Sequence, residues 1–459
     1  MLKTNFELKK ILLLRIYFFM IKYFFFIITI FSCGLVHSQN NWIKSKNKIK
    51  IPFELTHNLI IIDVNFNGTP LKMILDTGAS NNIIFSVSDN DSLVMNNVNK
   101  IRIAGAGNSE SIEGYLSKKN TLTIKEYKTN DFEVVFATNQ DISIVNKLGI
   151  TINGILGSSF FRDNLVEINY QTKKIIIHKT TDSTLKKIKS KYNSAKVEIN
   201  KNRPYILLKT KINNYNHSLN LLFDTGLGDG LWLFENDTIQ CNSNYFIDFL
   251  GRGLTGDISG KRSRVDEVFL ENLVLQNVLV SYPEISFFED MKMHKTRNGS
   301  LGGEITKRFN WFLDYENQTF YFKKNTLFDL PFEYNMSGIE VQHAGSQWVK
   351  EEIRDNPPNA SINANEFIFE NSNLRFNYKY ELKPIFEIYM VRENSPAAKA
   401  GIQKGDKIVK INNSVIFCMV FMILLFTIIF SSVCWVSCFL NWNFHHIIIH
   451  YVTISNINY

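Results

Sequence analysis

The amino-acid sequence predicts a mainly β protein with a body of two similar lobes followed by a smaller C-terminal module. Three observations predict it. Short runs rich in β-branched and aromatic residues recur along the chain, bounded by Asn, Gly, Asp or Lys. An Asp-Thr-Gly triplet occurs twice, at 76–78 and 224–226, each time between apolar runs. The segments around the two triplets also repeat at a nearly constant offset.

The strand reading rests on Leu59-Ile60-Ile61-Ile62-Asp63-Val64, Lys72-Met73-Ile74-Leu75, Glu133-Val134-Val135-Phe136, Lys174-Ile175-Ile176-Ile177 and Phe320-Tyr321-Phe322. Each is short and suits a pleated, half-buried surface. Asn67-Gly68 and Asn213-Asn214 mark hairpin turns just upstream of each triplet. Helices are expected to be few and short, so the apolar residues are buried by strands packed within each lobe, with a cleft between the lobes.

Each triplet follows an apolar run, Met73-Ile74-Leu75 or Leu221-Leu222-Phe223. An ionised carboxylate at the end of a buried strand is costly unless it is paired. A second carboxyl group within contact distance solves the problem, because two such groups cannot both ionise and one proton is held between them. One oxygen then accepts a proton while another donates one. Thr77 and Thr225 offer hydroxyls to neighbouring loops. Gly78 and Gly226 let the backbone turn tightly and bring N–H groups to the acid, with Ala79 and Ser80 completing the first loop. A single Asp-Thr-Gly is more often only a turn.

The second copy changes that balance. Asn153-Gly154-Ile155-Leu156-Gly157 is matched by Asn298-Gly299-Ser300-Leu301-Gly302, and Glu167-Ile168-Asn169-Tyr170 by Phe312-Leu313-Asp314-Tyr315, both at an offset of 145. The two aspartates are 148 apart, so a small length change in one loop reconciles the alignment, and the segment is duplicated. Between triplet and closing segment each copy has a Gly-rich stretch, with Gly105, Ala106 and Gly107 in the first and Gly251 and Gly253 in the second. Their positions in the repeat make them candidates for hairpin flaps that bend over a ligand. No Rossmann or Walker pattern surrounds them.

These residues resemble the retropepsin-like aspartic proteases, in the bacterial two-copy form that carries a PDZ domain. The resemblance covers about residues 50–325. It implies a bilobal, pepsin- or retropepsin-like body, with Asp76 and Asp224 catalytic, Thr77 and Thr225 bonding across the lobes, and Gly78 and Gly226 at the turns. Ser300 stands where the family pattern has an aliphatic residue, and Leu227-Gly228 where it has Ala-Ser, so the second lobe is the more diverged. Farther on, Ser395-Pro396-Ala397-Ala398-Lys399-Ala400-Gly401 followed by Gly405-Asp406 and Ile408–Ile411 closely resembles a bacterial PDZ domain. Pro396 suits a helix start, Gly401 its end, and the residues after Asp406 a strand. A PDZ fold binds peptide by strand addition at a sheet edge.

The expected domains are a targeting segment at 1–38, a first lobe at 50–180, a second at 199–327, a PDZ domain at 335–413 and an apolar tail at 415–440. At the amino end, Lys22 precedes the apolar run 23–31, and Val36-His37-Ser38 fits a cleavage site. Export to the periplasm or cell envelope is expected, with a membrane anchor through the apolar run Ile11–Phe19 or a lipid anchor at Cys33 as the alternatives and Met20 as a candidate start. The tail is long enough to cross a bilayer. It also interrupts the PDZ fold, so a departure from the reading frame near Ser414 is the favoured reading, which leaves the PDZ domain incomplete.

Of 459 residues, 45% are hydrophobic and 20% charged, with a net charge of +8. The basic residues are scattered. Their densest run, Lys186–Lys191, reads as a solvated interlobe linker, because no stacking aromatics are interleaved with it, and no nucleic-acid partner is expected. Cys33, Cys418, Cys434 and Cys438 lie in the terminal segments, which leaves Cys241 alone in the body and no disulfide framework. His445, His446 and His450 lack zinc-ligand spacing. No metal or organic cofactor is required. The function expected is hydrolysis of peptide or protein substrates by a monomer through the Asp76/Asp224 pair, with a peptide ligand for the PDZ module. The alternative is an inactive exported adaptor that binds peptide through the cleft and the PDZ segment.

Overall fold

The computed structural model describes residues 48–86, 92–107, 112–137, 152–162, 164–289, 291, 293–354, 376–411, 414–415 and 452–455. The targeting segment, Cys33, the three tail cysteines, the tail histidines and all but the first residue of the 415–440 run lie outside them. Among the described residues no helix is long and apolar enough to cross a membrane.

Two sheets repeat one strand order. In the first lobe, Glu54–Thr56, Leu59–Phe66, Thr69–Leu75, Gly154–Leu156, Ile83–Ile84, Tyr127–Ala137, Ile112–Ile124 and Val98–Ile103 are neighbours in that sequence. In the second, Asn193–Asn200, Arg203–Ile212, Tyr215–Phe223, Gly299–Leu301, Leu231–Leu233, Leu273–Pro283, Gly256–Leu270 and Phe246–Gly253 follow the same path. The hairpin leading to each triplet closes on residues with positive φ, Asn67 (47°) and Gly68 (97°) in the first copy and Asn213 (51°) and Asn214 (69°) in the second. Both residues of each pair tolerate that region, which gives the twist that antiparallel strands need.

The strand that ends in each triplet pairs in parallel with the repeated Asn-Gly segment: Leu75 with Leu156, and Phe223 with Leu301. The asparagine fixes this register in both copies. Asn153 Oδ1 accepts from the Lys72 N–H and Asn298 Oδ1 from the Asn220 N–H, each at 2.8 Å. Glycine follows because a side chain at Gly154 or Gly299 would collide with the carbonyl of Ile83 or Trp232 on the facing strand.

The lobes share a sheet. Leu165–Asn169 pairs antiparallel with Phe309–Asp314, so the two closing segments of the repeat meet each other, with Val166 opposite Leu313 and Glu167 opposite Phe312. Lys48–Pro52 and Lys174–His178 extend this sheet on one side and Thr319–Lys324 on the other. Its aromatic side chains fill the core under the second triplet: Phe223 meets Trp311 edge-on at 4.8 Å and Phe320 at 5.2 Å. Each such ring contributes about 1.5–3 kcal/mol by burial. The Lys186–Lys191 region differs from the solvated linker expected of it. Asp182–Lys189 is a helix capped by the Thr181 hydroxyl, and Leu185 and Ile188 pack on Leu165, Phe312 and Tyr321 while the lysines face solvent.

The third sheet contains Ile339–Arg354, Phe376–Val391, Lys407–Ile411 and Ser414–Val415, with Val452–Ser455 also paired to Lys407–Ile411. The helix expected here spans Pro396–Lys399, with the Ser395 hydroxyl accepting from the Ala398 N–H, and Gly401 and Gly405 at φ 82° and 92°.

Candidate active site

Both triplets lie at the lobe boundary, and the structure brings them together. A side chain at Gly78 would overlap the Asp224 carboxyl group, and one at Gly226 would overlap that of Asp76. Each carboxyl group therefore rests against the glycine of the opposite triplet, close enough for each acid to perturb the other's titration.

The threonines interlock beneath them. Thr77 Oγ1 donates to the Phe223 carbonyl at 2.6 Å, and Thr225 Oγ1 to the Leu75 carbonyl at 2.7 Å. Each hydroxyl also accepts the backbone N–H of the other threonine at 3.0 Å. Both side chains are buried. All four bonds cross between lobes, so the loops carrying the acids are held to one geometry.

The two acids are not equivalent. Asp76 Oδ1 accepts from the N–H groups of Gly78 (2.6 Å) and Ala79 (3.1 Å), whereas Asp224 Oδ1 accepts from Gly226 at 3.1 Å. Burial, then the charge of Asp224, hold the Asp76 carboxyl well above the usual carboxylate range despite those donors. Burial raises Asp224 too, but the Arg297 guanidinium, the hydrogen bond from Asp76 and the Gly226 N–H all oppose the rise. The two acids therefore titrate as one coupled pair, and the cationic surroundings of Asp224 favour its ionised form. Buried Tyr315 lies near the first acid, and its phenol is raised well above the ordinary value by burial and by Asp76.

The departures in the second copy have structural reasons. Ser300 Oγ accepts from Arg297 Nη2 at 2.6 Å, while Arg297 Nε donates to the Gly299 carbonyl at 3.0 Å and the guanidinium lies 5.3 Å from the Phe234 ring centre. An aliphatic residue at 300 would deny this cation one of these two hydrogen-bond acceptors. Gly228 is required because a side chain there would press on the His57 carbonyl. The His57-Asn58 turn docks on this loop: Asn58 Nδ2 donates to the Gly228 carbonyl (2.8 Å) and to Glu304 Oε2 (2.9 Å), and Lys307 Nζ to Asn58 Oδ1 (2.9 Å). Neither Arg297 nor Asn58 belongs to a motif in the sequence; the local signals are Ser300 for Arg297 and Gly228 for Asn58. Ser80, grouped with the active-site supports, does not bond either acid. Its carbonyl accepts from Ser158 Oγ at 3.5 Å, and its buried hydroxyl has no partner among the described residues.

The Gly-rich stretches are hairpin tips that meet each other. Thr255 donates from its N–H to the Ala106 carbonyl and from Oγ1 to the Gly105 carbonyl, both at 3.1 Å. Leu254 packs with the first-lobe cluster around Ile103 and Ile112, and Ala106 with the second-lobe cluster around Trp232 and Ile258, so each tip reaches into the opposite lobe. Gly253 is at this crossing, where a side chain would strike the Ala106 carbonyl. Gly251 is not: it takes φ 140° at a bulge after Phe249 and has open space around it. A cavity of about 350 Å³ borders the first triplet's loop at Ser80 and Asn81 and is lined further by Tyr127, Glu133, Phe160 and Arg162, and neither acid borders it.

Residues 62–160 match the family described as aspartyl protease, and residues 387–419 match a PDZ domain. The chain thus carries one stretch similar to an aspartyl protease and another similar to a PDZ domain. The aspartyl protease match covers the copy that keeps Ala79-Ser80 and ends before the more diverged copy begins. No curated protein matches the chain. Among solved structures, an aspartic proteinase from Irpex lacteus is similar at 12% identity over 62% of this chain and 99% of its own, with a TM-score of 0.39.

Proposed function

We propose that the chain is an aspartic endopeptidase whose two acids come from two lobes of one polypeptide. The observation that carries this reading is the mutual packing of each triplet's glycine on the other triplet's carboxyl group. A substrate peptide lies extended between the dyad and the flap tips. Asp224 takes a proton from a water held by both acids as the water oxygen bonds to the scissile carbonyl carbon, and Asp76 gives its proton to the carbonyl oxygen. The tetrahedral diol then collapses: Asp224 gives the proton it took to the amide nitrogen, the C–N bond breaks, and one diol hydroxyl gives its proton to Asp76 as the carbonyl re-forms, so acid and amine products leave and the pair is restored. The PDZ segment binds a peptide strand, and the protein works as a monomer after export to the periplasm or cell envelope.

An inactive peptide-binding adaptor is the competing reading. Digestion of a peptide library by the protein, compared with an Asp76→Asn/Asp224→Asn double variant, separates the two. Cleavage products present only with the unaltered protein support the protease; equal absence from both supports the adaptor.

A further inference from the structure

The PDZ segment does not hang free of the body. Arg392, at the end of the Phe376–Val391 strand, donates from Nη1 to Asp248 Oδ1 at 3.3 Å and lies 4.5 Å from the Phe246 ring centre. Asp248 and Phe246 belong to the second flap, Phe246–Gly253. The phenol of Tyr389 donates to Asp257, one residue past the flap tip at Gly256, and its ring meets Phe249 edge-on at 6.0 Å. Burial and the Asp257 carboxylate push that phenol up to about 12, so it stays protonated and a donor through the neutral range.

These contacts join a longer line of alternating charges. Asp248 Oδ2 accepts from Arg262 Nε at 2.7 Å, and Arg262 Nη1 donates to Asp229 Oδ1 at 3.1 Å. Asp229 follows the second triplet in the same loop and also accepts from Trp232 Nε1 (2.7 Å) and Ser281 Oγ (2.8 Å). The side chains of Asp248, Arg262 and Arg392 are each about nine-tenths removed from solvent. Breaking a buried pair strands a charge in low dielectric, so such a chain holds its members in one arrangement.

We propose that the PDZ segment is the docking partner of the second flap and braces it closed through Tyr389 and Arg392. Opening that flap then requires releasing Asp257 and Asp248 from the PDZ strand, and any motion of the PDZ segment is transmitted to the cleft. The proposal rests on the reading of the hairpins as flaps. Its test follows hairpin motion in the absence of substrate, so its failure is distinct from a failure to hydrolyse peptides.

The test is amide hydrogen exchange on the full chain, comparing the unaltered protein with Tyr389→Phe, Arg392→Met and the pair together. Tyr389→Phe keeps the ring against Phe249 and removes only the hydroxyl. The brace predicts that amides of Phe246–Leu270 exchange about a hundredfold faster or more in the double variant, in line with the loss of two hydrogen bonds to charged partners, while Leu59–Phe66 is unchanged. The reciprocal variant Asp257→Asn is predicted to loosen Phe376–Val391. Unchanged exchange at 246–270 in the double variant, or acceleration confined to the PDZ strands, overturns the proposal.

Discussion

Thr77 and Thr225 are each the hydrogen-bond donor to the strand that carries the other, at 2.6 Å and 2.7 Å, and each accepts the other's N–H. The two acids inherit their fixed spacing from this interlock. Thr77→Val keeps the shape but leaves the Phe223 carbonyl and the Thr225 N–H buried and unsatisfied, at about 1–3 kcal/mol for each group. Thr77→Ser keeps the bonds and loses one methyl, at about 1 kcal/mol. Chemical denaturation of the two variants checks the order; equal destabilisation would count against the interlock.

Gly226 has no room for a side chain because the Asp76 carboxyl group fills that space. Gly226→Ala is expected to cost about 1–3 kcal/mol in overpacking. It also displaces the first acid from the second, so peptide hydrolysis falls by about a hundredfold or more. Turnover measured beside far-UV circular dichroism tests this: a folded variant with unaltered turnover would show that the two groups do not act together.

The dyad makes stability depend on pH in a direction opposite to that of ordinary carboxylates. Both acids are raised in the folded state, Asp76 more clearly so. Above the ordinary carboxylate value of about 4 the unfolded chain has released protons that the folded chain still holds. This contribution is therefore complete below that value and is lost as pH rises through the raised values. Asp76→Asn removes the ionisation, so its unfolding free energy should decline less between about pH 4 and pH 8 and exceed that of the unaltered protein at the upper end. Parallel curves from denaturation at a series of pH values would contradict the assignment.

Arg297 favours the anionic form of Asp224. Without the cation, as in Arg297→Met, the acid limb of the kcat/KM profile should move to higher pH, because Asp224 is then harder to ionise. Arg297→Lys should return it toward its original position. A loss of activity with no displacement of the limb would give the arginine a purely structural part.

Much of this was legible in the chain because the relevant signals are local and occur twice. Asn67-Gly68 and Asn213-Asn214 announce turns by their tolerance of positive φ, and the triplets and Asn-Gly segments carry the residue types that their geometry demands. The unread parts depend on partners far apart in sequence. Asn58 meets Glu304 only after the lobes dock, and Arg392 meets Asp248 only after the PDZ segment folds back on the flap. The helix Asp182–Lys189 was obscured by its lysines, since its packing stripe is only Leu185 and Ile188. Gly251 had the composition of a flap tip but serves a bulge two residues earlier, a distinction set by strand register.

The claim at the centre is that Asp76 and Asp224 work as one acid pair. The most direct measurement is kcat/KM for a cleaved peptide in Asp76→Asn, Asp224→Asn and the double variant, each shown to be folded. One functional unit predicts a loss of about a thousandfold or more in each single variant and little further loss in the double, because groups that act together are not additive. A single variant that retains the unaltered rate would contradict it.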